Sequence, residues 1–486
     1  MSNAARRDAS VAEGGNLILT GALSPAAGGF VVKGRAMSQG AVTTVVPGTA
    51  HVAEPQADAP VLVGERPPLI GEDWLAVLVG GGLIALVLMG LRPALTRFGW
   101  GSETATLATL LGADNLARSA QMATLVLGPV IVGAAILRAR MQAFLPGVFL
   151  LYGLAWLAQA LAGHVAASAW GLEYVIFGLA VGLAINHSLT LPAWFREAVR
   201  TEYYIKTGLV VLGATILFDD IVGAGFLGIL QALIVVLSVW TFCFWLCKRL
   251  RVDDELATML SSAVSICGVS AAIATCGAIQ GDRKKLSYVT SLVLVVAMPM
   301  MVLMPWVAKA TGMSPVVAGA WLGGTLDTSA AVVAAGEMLG DAGRNAAVVV
   351  KLSQNALIGL AAFFLTVWWA MRHQSADRPS ASLAVIWERF PKFVVGFLVA
   401  SLAFSFLLSD ATVASTRGLV NGIRTTLFAM AFVSIGLETH LGSLVTTDGG
   451  RPALAFIGGQ AFNIVVTLVA AYLLFGGMLF ALPALG

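Results

Sequence analysis

The sequence is poor in charge. Its 486 residues carry 29 Lys or Arg and 26 Asp or Glu, 11% in all, against roughly a quarter in soluble globular chains, so a soluble fold is excluded. Cysteine is scarce too. Cys243, Cys247, Cys267 and Cys276 all fall in apolar stretches, without zinc-site spacing or a disulfide framework, and read as buried inert thiols. No P-loop, HExxH, GxSxG or paired-cysteine motif occurs, which leaves an enzymatic reading without a catalytic constellation. The expectation is a protein that is not an enzyme and holds no cofactor or metal beyond a coupling Na⁺ or H⁺. The formal net charge of +3 is small and the basic residues are scattered in short clusters. Such clusters offer nucleic acid no binding face and act instead as topology signals.

What the sequence has in excess is apolar length. Mean hydropathy is +0.87, 58% of residues are hydrophobic and 53 are glycine, the composition of an all-α polytopic membrane protein whose spans each need about 20 apolar residues. Apolar runs cover residues 74–91, 121–137, 146–165, 172–187, 205–218, 225–247, 256–279, 287–308, 315–336, 346–370, 390–408, 425–437 and 453–475. Residues 1–70 lack the apolar core and cleavage site of a signal peptide and are expected to form a cytoplasmic, low-complexity extramembrane segment. Residues 71–140 then read as an additional transmembrane pair.

An internal repeat follows. Tyr174-Val-Ile-Phe-Gly178-Leu-Ala-Val-Gly-Leu-Ala parallels Lys392-Phe-Val-Val-Gly396-Phe-Leu-Val-Ala-Ser-Leu-Ala, and Leu209-Val-Val-Leu-Gly213 parallels Phe432-Val-Ser-Ile-Gly436. The offsets, 218 and 223 residues, are nearly constant across two successive elements, as in transporters built from two related halves. Residues 141–254 form the first repeat, 346–486 the second, and 255–345 a central segment. The short spans 205–218 and 425–437 carry Gly213 and Gly436 at corresponding places and read as broken helices.

Basic loops at 138–140, 196–206, 248–251, 283–285 and 372–392 belong on the cytoplasmic side. Two of them flank 256–279, so that segment is expected to be a re-entrant hairpin entering from the cytoplasm, and parity asks 315–336 to be one entering from outside. The expectation is about eleven transmembrane helices and two re-entrant segments in an inner (plasma) membrane, with the repeats inverted, the N-terminus inside and the C-terminus outside.

Chemistry comes from what interrupts the apolar runs. In Ser261-Ser-Ala-Val-Ser265-Ile-Cys267-Gly268-Val-Ser270-Ala, hydroxyls surround a mid-segment glycine. A break there exposes N–H groups at the start of a half-helix, whose dipole favours an anion; close packing through small residues is the plainer alternative. In Gly323-Gly-Thr325-Leu-Asp327-Thr328-Ser329-Ala a single carboxylate sits among glycines and hydroxyls. A charge at membrane depth costs at least about 2.5–3.5 kcal/mol, so Asp327 needs a partner, a proton or an ion, unless it merely caps the next half-helix. Lys351, beside Ser353, Gln354 and Asn355, either pairs with Asp327, meets an anion, or snorkels from a helix end.

At these two motifs the chain resembles the YeiH-type transporters, described as sulfate exporters and akin at fold level to the cation:proton antiporter/anion transporter group. The likeness spans roughly residues 146–475. Its most specific part is Ser265-Ile-Cys267-Gly268-Val-Ser270-Ala, close to the family's Ser-Ile-Cys-Gly-Ala-Ser-Ala. Asp327-Thr328 keeps the Asp-Thr of the family's His-Asp-Thr-Ala-Gln, while Leu326 replaces the His and the Gln is absent. The resemblance implies a secondary transporter in the lipid bilayer, a homodimer, and a small anion as partner: sulfate, sulfite, a sulfonate or a carboxylate. Ser265, Cys267, Gly268, Ser270, Thr325, Thr328, Ser329, Lys351 and Asn355 are the candidate substrate contacts, with Asp327 as the site of the coupling H⁺ or Na⁺. A cation/proton antiporter using Asp327 is the alternative, and a passive channel a weaker one.

Overall fold

The computed structural model describes residues 70–480 apart from 170–171, 217, 373–382 and 440–449, together with 20–21 and 32–33. Two compact units divide the chain. In Met1–Pro67 the described residues form one short antiparallel pair, Thr20–Gly21 with Val32–Lys33; the expectation for residues 1–70 otherwise lies outside the described residues.

The second unit, Pro68–Gly486, is helical. Its principal helices are α1 (Glu72–Leu88), α2 (Ala113–Ile136), α3 (Met141–Ala162), α4 (Tyr174–Ser188), α5 (Thr201–Gly213), α6 (Phe218–Arg249), α7 (Asp254–Ser265) and α8 (Gly268–Ile279). There follow α9 (Arg283–Ala310), α10 (Pro315–Thr325), α11 (Ser329–Glu337), α12 (Gly340–Ala356), α13 (Ile358–Arg372), α14 (Lys392–Leu402), α15 (Asp410–Glu438) and α16 (Gly450–Phe475). Among the described residues, seven helices are long and apolar enough to cross a membrane, α12 and α13 together counting as one 33-residue rod. Large apolar side chains such as Phe226, Leu237, Leu303, Phe364 and Val465 stand exposed along them, which a hydrocarbon surround satisfies and water does not. The chain is thus a multi-pass membrane protein.

Local chemistry sets the ends. Asp253, Asp282, Ser314 and Ser409 each accept a backbone N–H in the first turn of α7, α9, α10 and α15, and Pro315 opens α10, the arrangement that satisfies otherwise orphaned donors. One expected break is absent. Residues 425–437 are the C-terminal half of the continuous 29-residue α15; Arg417 and Arg424 interrupt the apolar run without interrupting the helix, because Arg424 is 5% exposed and faces protein.

The repeated elements pack reciprocally. A Cβ on Gly178 would lie 3.5 Å from Val433 N, and one on Gly396 2.9 Å from Val210 Cγ2; position 210 shifted by 223 is 433. Likewise Gly436 abuts Leu179 O, while Gly213 abuts Phe397 O, and 179 shifted by 218 is 397. Each contact therefore has its counterpart with the roles exchanged. Helices approach this closely only through glycine. In Gly436→Val the new side chain would start 2.8 Å from Gly182 Cα, a backbone atom that cannot step aside. Loss of monodisperse protein on size exclusion is expected, with Gly81→Val, where a Cβ meets nothing within 4 Å, behaving as the parent.

Two segments turn back on themselves. Lys285 at the head of α9 binds Asp253 (2.6 Å) and Glu255 (3.2 Å) at the head of α7, so the chain returns to its starting level after α7 and α8. Gly343 at the head of α12 lies beside Pro315 O, and Arg344 beside Gly336, so α10 begins and α11 ends at one level too. Arg372, which closes α13, pairs with Asp254 at 3.6 Å. The two hairpins therefore approach the α12–α13 rod from its opposite ends.

Candidate functional site

The hairpin tips meet. α7 stops at Ser265 and α8 starts at Gly268, with Ile266 and the extended Cys267 between them; α10 stops at Thr325 and α11 starts at Ser329. The breaks cross where Gly268 N–H donates to Asp327 O at 2.6 Å. Glycine is required at this point, since a Cβ would run into Val293 and come 3.2 Å from Asp327 Cβ.

Each break leaves carbonyls without helical partners, and amide and ammonium groups from two other helices satisfy them in pairs. Lys351 Nζ donates to Ile266 O and Leu326 O, both at 2.8 Å, and to Gln354 Oε1 at 2.9 Å. Gln354 Nε2 reaches Ser265 O at 2.8 Å and Gly324 O at 3.3 Å. Asn463 Nδ2 reaches Val264 O at 3.1 Å and Thr325 O at 3.2 Å, with Gln460 Nε2 adding a second donor to Thr325 O at 2.9 Å. Lys351, 2% exposed, thus neither snorkels nor forms an ion pair with Asp327. It neutralises the negative ends of two half-helices at once.

Asp327 is 2% exposed, and neither carboxylate oxygen has a hydrogen-bond partner among the described residues. It does not cap α11: Thr328 does, its hydroxyl accepting from Ala331 N–H at 3.1 Å. The hydroxyls of Ser265 and Thr325, the residues that close α7 and α10, are also buried and without a partner among the described residues. A buried carboxylate in this condition has to gain a proton or a cation.

On the side where α8 and α11 begin, Cys267, Ser270, Thr328, Ser329 and Asn355 border a cavity of about 540 Å³ whose walls also carry charges of both signs, Lys206, Arg389 and Lys392 together with Glu72, Asp73, Glu202 and Glu388, Lys206 being paired with the first three of these carboxylates. Asn355 Nδ2 donates to Ser329 Oγ at 3.0 Å. Five of the expected contacts therefore share one chamber. Gly268 stands at the crossing, while Ser265, Thr325, Asp327 and Lys351 lie behind it, buried. Among the described residues no group of three His, Cys, Asp or Glu could hold a metal ion.

Residues 146–455 match the family described as "Conserved hypothetical protein 698". The chain belongs to this family. Relatives include the UPF0324 membrane protein RB9488 of Rhodopirellula baltica, 40% identical over 68% of this chain and 63% of that protein. A UPF0324 membrane protein of Nitratidesulfovibrio vulgaris is 37% identical over 74% of this chain and 65% of its own length, and NE0724 of Nitrosomonas europaea 31% identical over 57% and 64%. The chain thus spans a little under two thirds of the length of these relatives. No solved structure matches. The part shared with the Conserved hypothetical protein 698 family takes in both broken segments and Lys351, but stops before Gln460 and Asn463.

Sequence reasoning missed two features within this family region. Gln354 was noted only as a neighbour of Lys351, yet it binds both half-helices. The other is a buried charge cluster: Arg344 Nη1 and Arg424 Nη2 lie 3.6 and 3.8 Å from Glu337 Oε1, tying the α10–α11 hairpin to α15. An arginine inside an apolar run was the available signal.

Proposed function

We propose that the protein is a secondary transporter of a small anion, sulfate, sulfite, a sulfonate or a carboxylate, coupled to H⁺ or Na⁺ and working by alternating access. The observation that carries this reading is the crossing of two broken helices around an unpartnered, buried Asp327. Irregular backbone at membrane depth is tolerated where it is buried in protein or serves a site, and paired discontinuous helices are the way transporters build such sites. The crossing is chemically two-sided. Its carbonyl ends are already satisfied by Lys351, Gln354, Gln460 and Asn463, whereas the N-terminal ends of α8 and α11 point their dipoles toward the chamber, where Ser270, Ser329 and Asn355 offer polar contacts to an anion. Asp327 takes the coupling ion.

The reciprocal glycine contacts support an inverted repeat, since exchange of roles between equivalent residues is what a two-fold axis produces. The two hairpins then read as re-entrant from opposite faces. With Lys248, Arg249, Lys285 and Arg372 gathered near the α7 end, that end is cytoplasmic. The N-terminus lies inside and the C-terminus outside an inner membrane, eleven helices cross, and a homodimer is the working assembly. The likeness to the YeiH-type sulfate exporters belongs to this proposal. Because both Asp327 oxygens lack partners, a cation/proton antiporter is the reading to be distinguished.

Purified protein is to be screened by thermal unfolding with sulfate, sulfite, thiosulfate, taurine, bicarbonate and dicarboxylates, with and without Na⁺, at two pH values. A ligand held by the folded state at a hundred times its Kd adds about 2.7 kcal/mol. An anion-specific shift that depends on Na⁺ or pH is expected. A response to Na⁺ or pH alone would favour the antiporter, and no response to any anion would remove the substrate class.

A further inference from the structure

Resting on the alternating-access reading, we infer that Arg424 is a latch that keeps the seam between two helix bundles shut on the side of the crossing away from the chamber. α1–α5, α14 and α15 pack on one another, and α6–α13 pack with α16; the main contacts between the two groups are those of α11 with α5 and α15 and of α14 with α6. The seam is hollow on one side. The chamber described above lies between the heads of α1 and α5 and the length of α8. A second, of about 330 Å³, has Thr201, Glu202, Ile435 and Glu438 on one wall and Met298 and Ala331 on the other. On the far side the seam is closed by charge. α11 starts beside the second chamber and ends at Glu337, and Arg424 precedes the chamber residue Glu438 by about 21 Å along α15. There Arg424 Nη2 faces Glu337 Oε1 across the seam at 3.8 Å. The other ion pairs among the described residues each stay within one bundle.

The pairing is built to separate. At 3.8 Å it is an ion pair without a hydrogen bond, and Arg424 Nε and Nη1 have no hydrogen-bond partner among the described residues, nor has Asn421 Oδ1 one turn earlier. Parting the bundles here breaks no hydrogen bond and lets water reach these groups, which recovers part of the cost of burying them. Glu337 is not stranded when Arg424 leaves. Arg344, in the same bundle, stays 3.6 Å from the same oxygen and is itself held by the exposed Asp341 at 2.6 Å. Two arginines on one carboxylate therefore have distinct parts: Arg344 keeps Glu337 neutralised in either state, and Arg424 joins the bundles in one of them.

The test is amide hydrogen exchange on the full chain in lipid nanodiscs, comparing the parent with Arg424→Gln and Glu337→Gln. A released latch shifts the population toward the state open on the far side. Exchange at residues 333–338 and 420–426 is expected to speed up by at least about fivefold, while residues 201–206 and 269–274, which line the chambers, become better protected as those close. The opposite signs are the signature, since mere loss of packing would speed exchange on both sides. Both variants cut the same link, so each should give this pattern and the double variant little more than either alone. Arg424→Lys, which keeps the charge, should stay nearer the parent. Faster exchange on both sides of the crossing, or no change on either, in both single variants would overturn the latch. Neither result touches the anion screen, whose failure alone counts against the transporter reading.

Discussion

Lys351→Met is expected to destabilise the folded protein by about 2–5 kcal/mol, read as a fall in the unfolding midpoint together with lost hydrogen-exchange protection at residues 264–268 and 324–328. The side chain is 2% exposed and donates to three acceptors, two of them terminal carbonyls of different half-helices. Methionine fills nearly the same volume but donates nothing, and a buried acceptor left unpaired costs about 1–3 kcal/mol. Removing the ammonium also leaves two negative helix ends facing each other beside Asp327, and with three acceptors losing their donor at once these costs accumulate. Part of this is offset because the buried cation no longer has to be desolvated, hence the range. Lys284→Met, at an exposed position in the first turn of α9, serves as the control and should stay within about 0.5 kcal/mol of the parent. An unfolding midpoint for Lys351→Met equal to that of the control would show that the crossing is held by something other than this amine.

The hairpin tips were legible in the sequence because glycine and hydroxyl residues interrupt otherwise continuous apolar runs, and the chain has few other reasons to place them there. What holds the tips was not legible. Lys351 reaches carbonyls 85 and 25 residues away, and backbone carbonyls leave no mark in a sequence. Whether Asp327 caps α11 was left open by the sequence, since Asp327 and Thr328 are both good caps and only the backbone geometry decides between them. That one position matters: with Thr328 capping, the carboxylate is left without a partner. The glycines whose spacing suggested a repeat, Gly178, Gly213, Gly396 and Gly436, are the ones at which helices pack most closely, because such approach restricts those sites to glycine. The burial of Arg424 beside Glu337 left no such mark, since a hydropathy window cannot tell a buried arginine from one at an interface.

The crossing also sets apart the groups that hold the fold from the group to which the proposed transport assigns the coupling ion. The carbonyl ends of α7 and α10 are committed to protein donors, and substitutions there act on folding. The Asp327 carboxylate, by contrast, makes no hydrogen bond among the described residues, so a change confined to it can spare the fold while, on the transporter reading, altering what the site binds.

Asp327→Asn puts that separation to its severest test. The substitution keeps the shape and removes the charge, and the carboxylate oxygens have no hydrogen bond to lose. The main-chain link from Gly268 N–H to Asp327 O does not depend on the side chain. An unpaired charge at membrane depth costs at least about 2.5–3.5 kcal/mol, so the variant should unfold at the parent's temperature or above it. Gradient-driven accumulation of anion in proteoliposomes should nevertheless fall to background, because an amide can neither take up the coupling proton nor neutralise a sodium ion. Anion binding measured without a gradient should survive, and its dependence on Na⁺ or pH should vanish. If anion flux were abolished while ΔpH-driven Na⁺ exchange persisted, Asp327 would not be the ion site of an antiporter. Full gradient-driven accumulation in Asp327→Asn would remove it as the coupling group. A large drop in unfolding temperature would mean instead that the carboxylate holds the crossing together, as Lys351 does from the other side.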